Sequence, residues 1–325
     1  MKKTVLSFIT VVILIIIVTA ISATTGSLKV GVIELIQGLV SGTNEKVGII
    51  KDLRFPRIII ALFTGAALAV SGVLLQSVMK NPLAEAGIIG IAAGGRFVFL
   101  LMMSINPMLF FWSPLFAFIG GALACFLVYS LSWKSGFNPI RLILIGVAVN
   151  AVFTGLNQSF IYFVGYSSMT HATVSTLSMK TWSEVEIMVI YGSIGLILSL
   201  FLASWCNVLA LQDKTAKNLG FNLSRLRLLI SIVAVLLAAV ATAIAGVIAF
   251  VGLLVPHIAR QIVGTDHKVL IPFSALAGAL LLIAADTLGR VIIPPNEIPA
   301  SIIMMIIGGP FLIFLLRKSD RIYGN

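Results

Sequence analysis

The feature that most constrains this chain is a succession of continuous apolar stretches, each long enough to cross a bilayer. A hydrocarbon core about 30 Å thick needs roughly 18 or more consecutive apolar residues in a helix, and such runs recur from Val5 to Leu316. The runs are continuous rather than alternating, so they read as helices and not as strands of a barrel; within lipid those two alone satisfy every backbone group. Hydrophobic residues fill 59% of the 325 positions and charged residues 10%, against soluble averages of roughly half and a quarter. Too few charges remain to cover a water-facing surface. The expected fold is therefore an all-α integral membrane bundle forming a single transmembrane domain over 1–325.

Candidate spans fall at about 5–23, 58–79, 87–106, 114–132, 141–164, 187–206, 228–248, 249–263, 269–289 and 299–316. The eighth is short and carries Pro256, so it reads as broken or only partly spanning. The opening Met-Lys-Lys and the apolar run after it resemble a signal peptide, but the run is long for one and no clean small-residue cleavage site follows. A retained first span with its N-terminus inside is the preferred reading. On that topology fifteen of the 22 Lys and Arg residues lie inside, while seven of the 11 acids lie outside. This is the charge bias of a membrane protein with both ends cytoplasmic. It accounts for the net charge of +11 without a nucleic-acid partner.

Three segments between spans are substantial. Residues 24–57, outside, end in Lys51-Asp-Leu-Arg-Phe-Pro-Arg57. Residues 165–186, also outside, are rich in Ser, Thr and Met. Residues 207–227, inside, place Ala216, Leu219, Leu223 and Leu226 at helical spacing broken at Gly220, which predicts two short amphipathic helices with a glycine turn between them. Small residues four apart, such as Gly65 with Ala69 and Gly90 with Gly94, predict close helix packing.

Chemistry of other classes is sparse. No Gly-Lys dipeptide occurs, so there is no phosphate-cradling P-loop. The three histidines are scattered without metal-ligand spacing, and Cys125 and Cys206 are too few for a disulfide framework. Within the spans Asp286 is the main acid, four residues before Arg290. It reads equally as half of an interfacial ion pair and as the proton relay of a self-powered carrier. The scarcity of such charges favours a permease whose energy comes from another subunit. Arg54, Arg57 and Arg290 each sit beside an outer span end, either as snorkelling anchors or as docking charges for an acidic partner.

The stretch GAALAVSGVLLQSVMKNPLAEAGIIGIAAGG (65–95) resembles the hallmark of the FecCD-type permeases, the membrane subunits of ABC importers for iron-siderophores, haem and cobalamin. LRFPR (53–57), GVIAFVGLLVPHIARQIVGTDHKVLIP (246–272), and ADTLGR (285–290) followed by EIPASIIMMIIGGPFLIFLL (297–316) resemble further family blocks in the same order. The resemblance covers nearly the whole chain. It implies two permease copies or paralogues around a central pathway, with ATP-binding cassette subunits below and a substrate-binding lipoprotein outside, in the plasma membrane of a bacterium. ATP would be used by the partner subunit, with no cofactor bound stably here.

Residue by residue, the resemblance assigns Arg54, Arg57 and Arg290 to binding-protein docking. It assigns Ala216, Lys217, Gly220 and Asn222 to the coupling loop, and Asn138, Pro139 and Ile140 to a cytoplasmic gate. Gly72, Asn81, Pro82, Gly90 and Gly94 would line or pack the pathway. The chain departs from the family at Ala86, where a proline is usual, and at Arg96, where a small residue is common. NPLAEA and the MKTWS of the outer loop resemble the haem-type permeases of Gram-positive bacteria, so haem or a ferric siderophore is the expected cargo and cobalamin the alternative.

Overall fold

The computed structural model describes residues 2–25, 30–41, 44–132, 139–164, 177–293 and 296–323. Its helices are α1 (Lys2–Thr24), α2 (Val32–Ser41), α3 (Glu45–Leu53), α4 (Phe55–Met79), α5 (Ile91–Ile105), α6 (Ser113–Ser132), α7 (Pro139–Val164), α8 (Trp182–Ala210), α9 (Asp213–Asn218), α10 (Leu223–Ala245), α11 (Val251–Val263), α12 (His267–Val291) and α13 (Ala300–Tyr323). A 3-10 turn, Pro107–Trp112, leads into α6. All ten expected spans fall on helices, and seven of those are long and apolar enough to cross a membrane. Ile91–Ile105, Val251–Val263 and the apolar part of α13, Ala300–Ile313, are shorter.

The bundle is organised around α4, which packs against α8, α10, α11 and α12. Pro56 sits in its first turn, where its missing N–H costs nothing. Along its length Gly65 meets the Gly278 carbonyl of α12, and Gly72 meets the Gly252 carbonyl of α11, so closely that an added Cβ would overlap the oxygen. A second contact of this kind joins α5 to α6, where Gly94 and Gly120 face each other's carbonyls. The α7 helix leans on α5 and α6 at one rim, and α13 leans on α11 and α12 at another.

Two stretches of irregular backbone enter the bundle and meet there. Residues 80–90 form a chain of turns between α4 and α5. Lys80 ends α4 with φ 48°, the Asn81 side chain accepts from the Leu83 N–H, and Gly90 opens α5 at φ 86°. Residues 246–250 separate α10 from α11. Pro256 within α11 cannot donate to the carbonyl four residues back, so it frees the oxygen of Gly252. The Gln76 side chain of α4 donates to that oxygen at 3.0 Å. Glu85, buried in the turn segment, accepts the Phe250 N–H at 3.0 Å. Non-helical backbone at membrane depth requires such internal partners.

The structure corrects several boundaries. The span expected from 87 starts at Ile91, because the turns through 90 precede it. The segment 24–57, expected outside, carries two short helices, α2 and α3, where none was expected; Asn44 caps the second by accepting from the Lys46 N–H. In 207–227 one short helix forms, α9. The second expected helix is the opening of the long α10, which starts at Leu223 instead of 228. The loop expected over 165–186 is shorter than expected because Trp182 already opens α8, with Thr181 and Glu184 forming a capping box. Its residues 165–176 lie outside the described residues.

Candidate functional site

Three regions carry the residues singled out by sequence, and the first is one end of the bundle. The N-terminus of α4, the C-termini of α1 and α12 and the chain before α13 converge there. Arg57 forms a two-pronged pair with Asp286, with Nε 2.9 and 3.0 Å and Nη2 2.8 Å from the carboxylate oxygens, and its Nη1 reaches Glu297 at 2.7 Å. Arg290 lies beside the same Asp286 at 3.4 Å and also donates to the Ser22 hydroxyl. Arg54 donates to the Ala23 carbonyl at 2.7 Å. The expectation that these arginines stand on the outer surface needs correction. All three are at most 8% exposed, and Asp286 is 1% exposed. Charges brought out of water demand partners, and these arginines find theirs within the chain. The Asp286–Arg290 spacing foreshadowed one contact, but its main partner, Arg57, lies 229 residues away in sequence.

At the opposite end, α9 rests against α8 and α10. Ala216 is its buried anchor, Lys217 faces outward, and Gly220 makes the turn after it at φ 84°. Asn222 caps α10 by accepting the Arg225 N–H. Asp213, at the start of α9, is held by Lys80 at 2.8 Å and Arg227 at 2.9 Å. The Lys80 hydrogen bond, followed by that from Arg227, keeps the Asp213 carboxyl below its ordinary range. A cavity of about 760 Å³ opens beside this tether, lined in part by Lys80, Asn81, Pro82, Asn207 and His267. Pro139 and Ile140 begin α7, while Asn138 lies outside the described residues.

The third region lies between the two ends. A cavity of about 470 Å³ is bounded by α5, α7 and the two irregular segments. Asn150, Thr154, Asn157 and Gln158 of α7 present one polar face to it, since residues four, seven and eight apart share a helix face. Arg96 of α5 and Glu85 also line it. Gly90 is pressed against the Asn150 backbone and sets the wall beside this cavity. Gly72 and Gly94 instead sit at helix–helix contacts within the chain. The α7 stripe was missed at the level of sequence because attention to charge overlooks uncharged amides; the spacing of the four residues in VNAVFTGLNQSF would have revealed it.

Comparison with known proteins agrees with this architecture. Residues 13–318 match the model of the FecCD transport family. Proteins named "probable heme-iron transport system permease protein IsdF", from several strains of Staphylococcus aureus, are 44% identical over 320 residues, which is 98% of this chain and 98% of theirs. A solved structure described as an inward-facing conformation of a putative metal-chelate type ABC transporter superposes with a TM-score of 0.76. It is 28% identical and covers 97% of this chain and 99% of that one. The chain of PsaBC from Streptococcus pneumoniae, solved with an antibody fragment, shares the fold at a TM-score of 0.60 and 17% identity, covering 87% of this chain and 95% of its own. A family model spanning nearly the full length, over a bundle built on the expected blocks, leads to one conclusion: the chain belongs to the FecCD transport family.

Proposed function

We propose that this permease imports an iron chelate, with haem as the favoured cargo, when two copies assemble around a shared pathway with an ATPase below and a binding protein above. As a permease subunit of an ABC importer, the chain is a transport component and not an enzyme. The observation that carries the proposal is the polar stripe of α7. Thr154 and Gln158 are exposed in the middle of a hydrophobic helix, at a rim left open among the described residues. Uncharged polar groups at membrane depth belong in water or against protein rather than lipid. A second copy facing this rim gives them a common aqueous route.

Asp286 supports a dependent permease over a self-powered carrier. A proton relay must open to the pathway, whereas Asp286 is enclosed and held by Arg57. ATP use then falls to the partner subunit, whose cytoplasmic contact is proposed at Ala216, Lys217, Gly220 and Asn222. The binding protein is proposed to dock at the end that carries Arg54, Arg57 and Arg290. The network there shapes the docking rim, and Glu297, which is part-exposed, belongs to it. The gate is proposed at the start of α7, around Pro139 and Ile140.

The whole-chain similarity to proteins named for haem-iron transport favours haem over a siderophore or cobalamin. The test is uptake into proteoliposomes holding the permease with its ATPase, supplied with loaded binding protein. Haem entry that requires ATP supports the proposal. Transport driven by an ion gradient without the ATPase overturns the mechanism, and exclusive uptake of ferric siderophore or cobalamin overturns the cargo.

A further inference from the structure

The cavity of about 760 Å³ beside the α9 tether is walled on another side by the last turns of α11, with His257, Arg260 and Gln261. Most charged and titratable groups around it are engaged within the chain. Lys80 donates to the Leu211 carbonyl and to Asp213. Asp266 caps α12, accepting from the Asn207 amide and the Lys268 N–H at 2.7 and 3.0 Å. His267 lies between Ser77 and Asn207, 2.7 Å from each, and His257 bonds Gln261 at 2.9 Å. Arg260 is the exception. It is half-buried in the cavity wall, and its guanidinium makes no hydrogen bond or ion pair among the described residues. The arginines at the other end of the bundle find their partners inside the chain, and this one does not.

A cation in the last turn suits the negative end of a helix, which accounts for the sign of the charge but leaves the guanidinium without an acceptor. A partly desolvated guanidinium is best matched by a carboxylate, which takes two parallel N–H donors. We propose that Arg260 is a second anchor for the ATPase subunit: the cavity takes an acidic side chain of that partner, beside the contact at α9. The inference rests on the proposed import function, which puts the ATPase at this end. Continuity and charge single out this occupant. Lys80 belongs both to the cavity wall and to the α9 tether, and the unanswered charge is a cation. The anchor also reaches further than α9 does. Helix α11 has 13 residues and is therefore roughly 20 Å long. It opens at Phe250, which lines the pathway cavity and donates to Glu85. A hold on Arg260 carries the movement of the ATPase along one short helix to the pathway wall.

The test uses the permease–ATPase complex in nanodiscs that contain phosphatidylserine. Arg260→Lys keeps the charge and supplies an amine, which a carbodiimide joins to a carboxylate in contact with it. Position 260 should become linked to an acidic residue of the ATPase, located by mass spectrometry. Linkage to the second permease copy or to phosphatidylserine, with none to the ATPase, assigns the cavity to that occupant and overturns the inference, as does no linkage at all. Arg260→Glu should weaken ATPase binding by about tenfold, and changing the cross-linked acid of the ATPase to lysine should restore it. An arginine with a merely structural role gives no such rescue. An Arg260→Glu permease that keeps its thermal unfolding midpoint and binds the ATPase as the wild type does overturns the inference. Where that variant fails to fold, the cross-link decides. A wild-type permease that binds no ATPase, by contrast, sinks the import reading itself and this inference with it.

Discussion

At the scale of single residues, the arginine end combines a buried charge network with a proposed docking rim. Arg57 and Asp286 are oppositely charged, enclosed and doubly hydrogen-bonded. Removing one member of such a pair strands the other, at a cost of about 3–5 kcal/mol, whereas replacing both with apolar groups of similar volume is often neutral. Asp286→Ala should therefore lower the thermal unfolding midpoint of the purified complex sharply, and the double variant Arg57→Met with Asp286→Leu should restore part of it, the rest staying lost because Arg290 also leans on Asp286. Binding-protein affinity measured on that stable double variant separates two roles. Lost affinity assigns Arg57 to docking, and retained affinity makes the pair purely structural. The sequence made the three arginines visible as a set beside span ends. It hid their mutual burial, because a contact spanning 229 positions leaves no trace in local periodicity.

At the scale of elements, hydropathy made the existence of the spans plain, while their interruptions depended on individual backbone groups. Pro256 suggested a broken span, yet α11 runs unbroken from Val251 to Val263, and nothing local pointed to Gln76 as the side chain that answers the freed Gly252 carbonyl. Gln76→Leu should leave that oxygen unpaired and destabilise the complex by about 1–3 kcal/mol. Pro256→Ala returns an N–H to α11, so the double variant should lose less than Gln76→Leu alone. Additive losses in thermal unfolding would show that Gln76 acts some other way. The helix α9 was legible as a short helix from Gly220 and its flanking leucines, but its tether was not. Because Asp213 is held below its ordinary value by Lys80, the contact is fully present at neutral pH and is lost only as pH falls through that lowered value. Asp213→Asn should mimic that loss at neutral pH. It should reduce uptake per ATP hydrolysed; unchanged coupling would exclude the tether from force transmission.

At the scale of the whole molecule, the proposed two-copy assembly makes one rim of the bundle the candidate contact. Along α7, Ala148, Ala151, Gly155 and Ser159 form an exposed strip of small residues beside the polar stripe; a Cβ added at Gly155 meets nothing within 4 Å. Small residues four apart let membrane helices approach closely, and a two-fold partner would bring each strip against its own copy. In that proposed assembly the copy–copy contact and the pathway would lie side by side, so the helix that lines the route would also move with the interface. The native Cys125 and Cys206 are buried, so introduced cysteines report cleanly. A disulfide forms when Cα atoms lie about 4.4–6.8 Å apart. Ala151→Cys or Ser159→Cys should therefore give a covalent dimer on mild oxidation in the membrane. Phe201→Cys, on the exposed and strongly apolar flank of α8, should not. Cross-linking at Phe201 with none on α7 would move the interface to another rim and leave the polar stripe without its aqueous route.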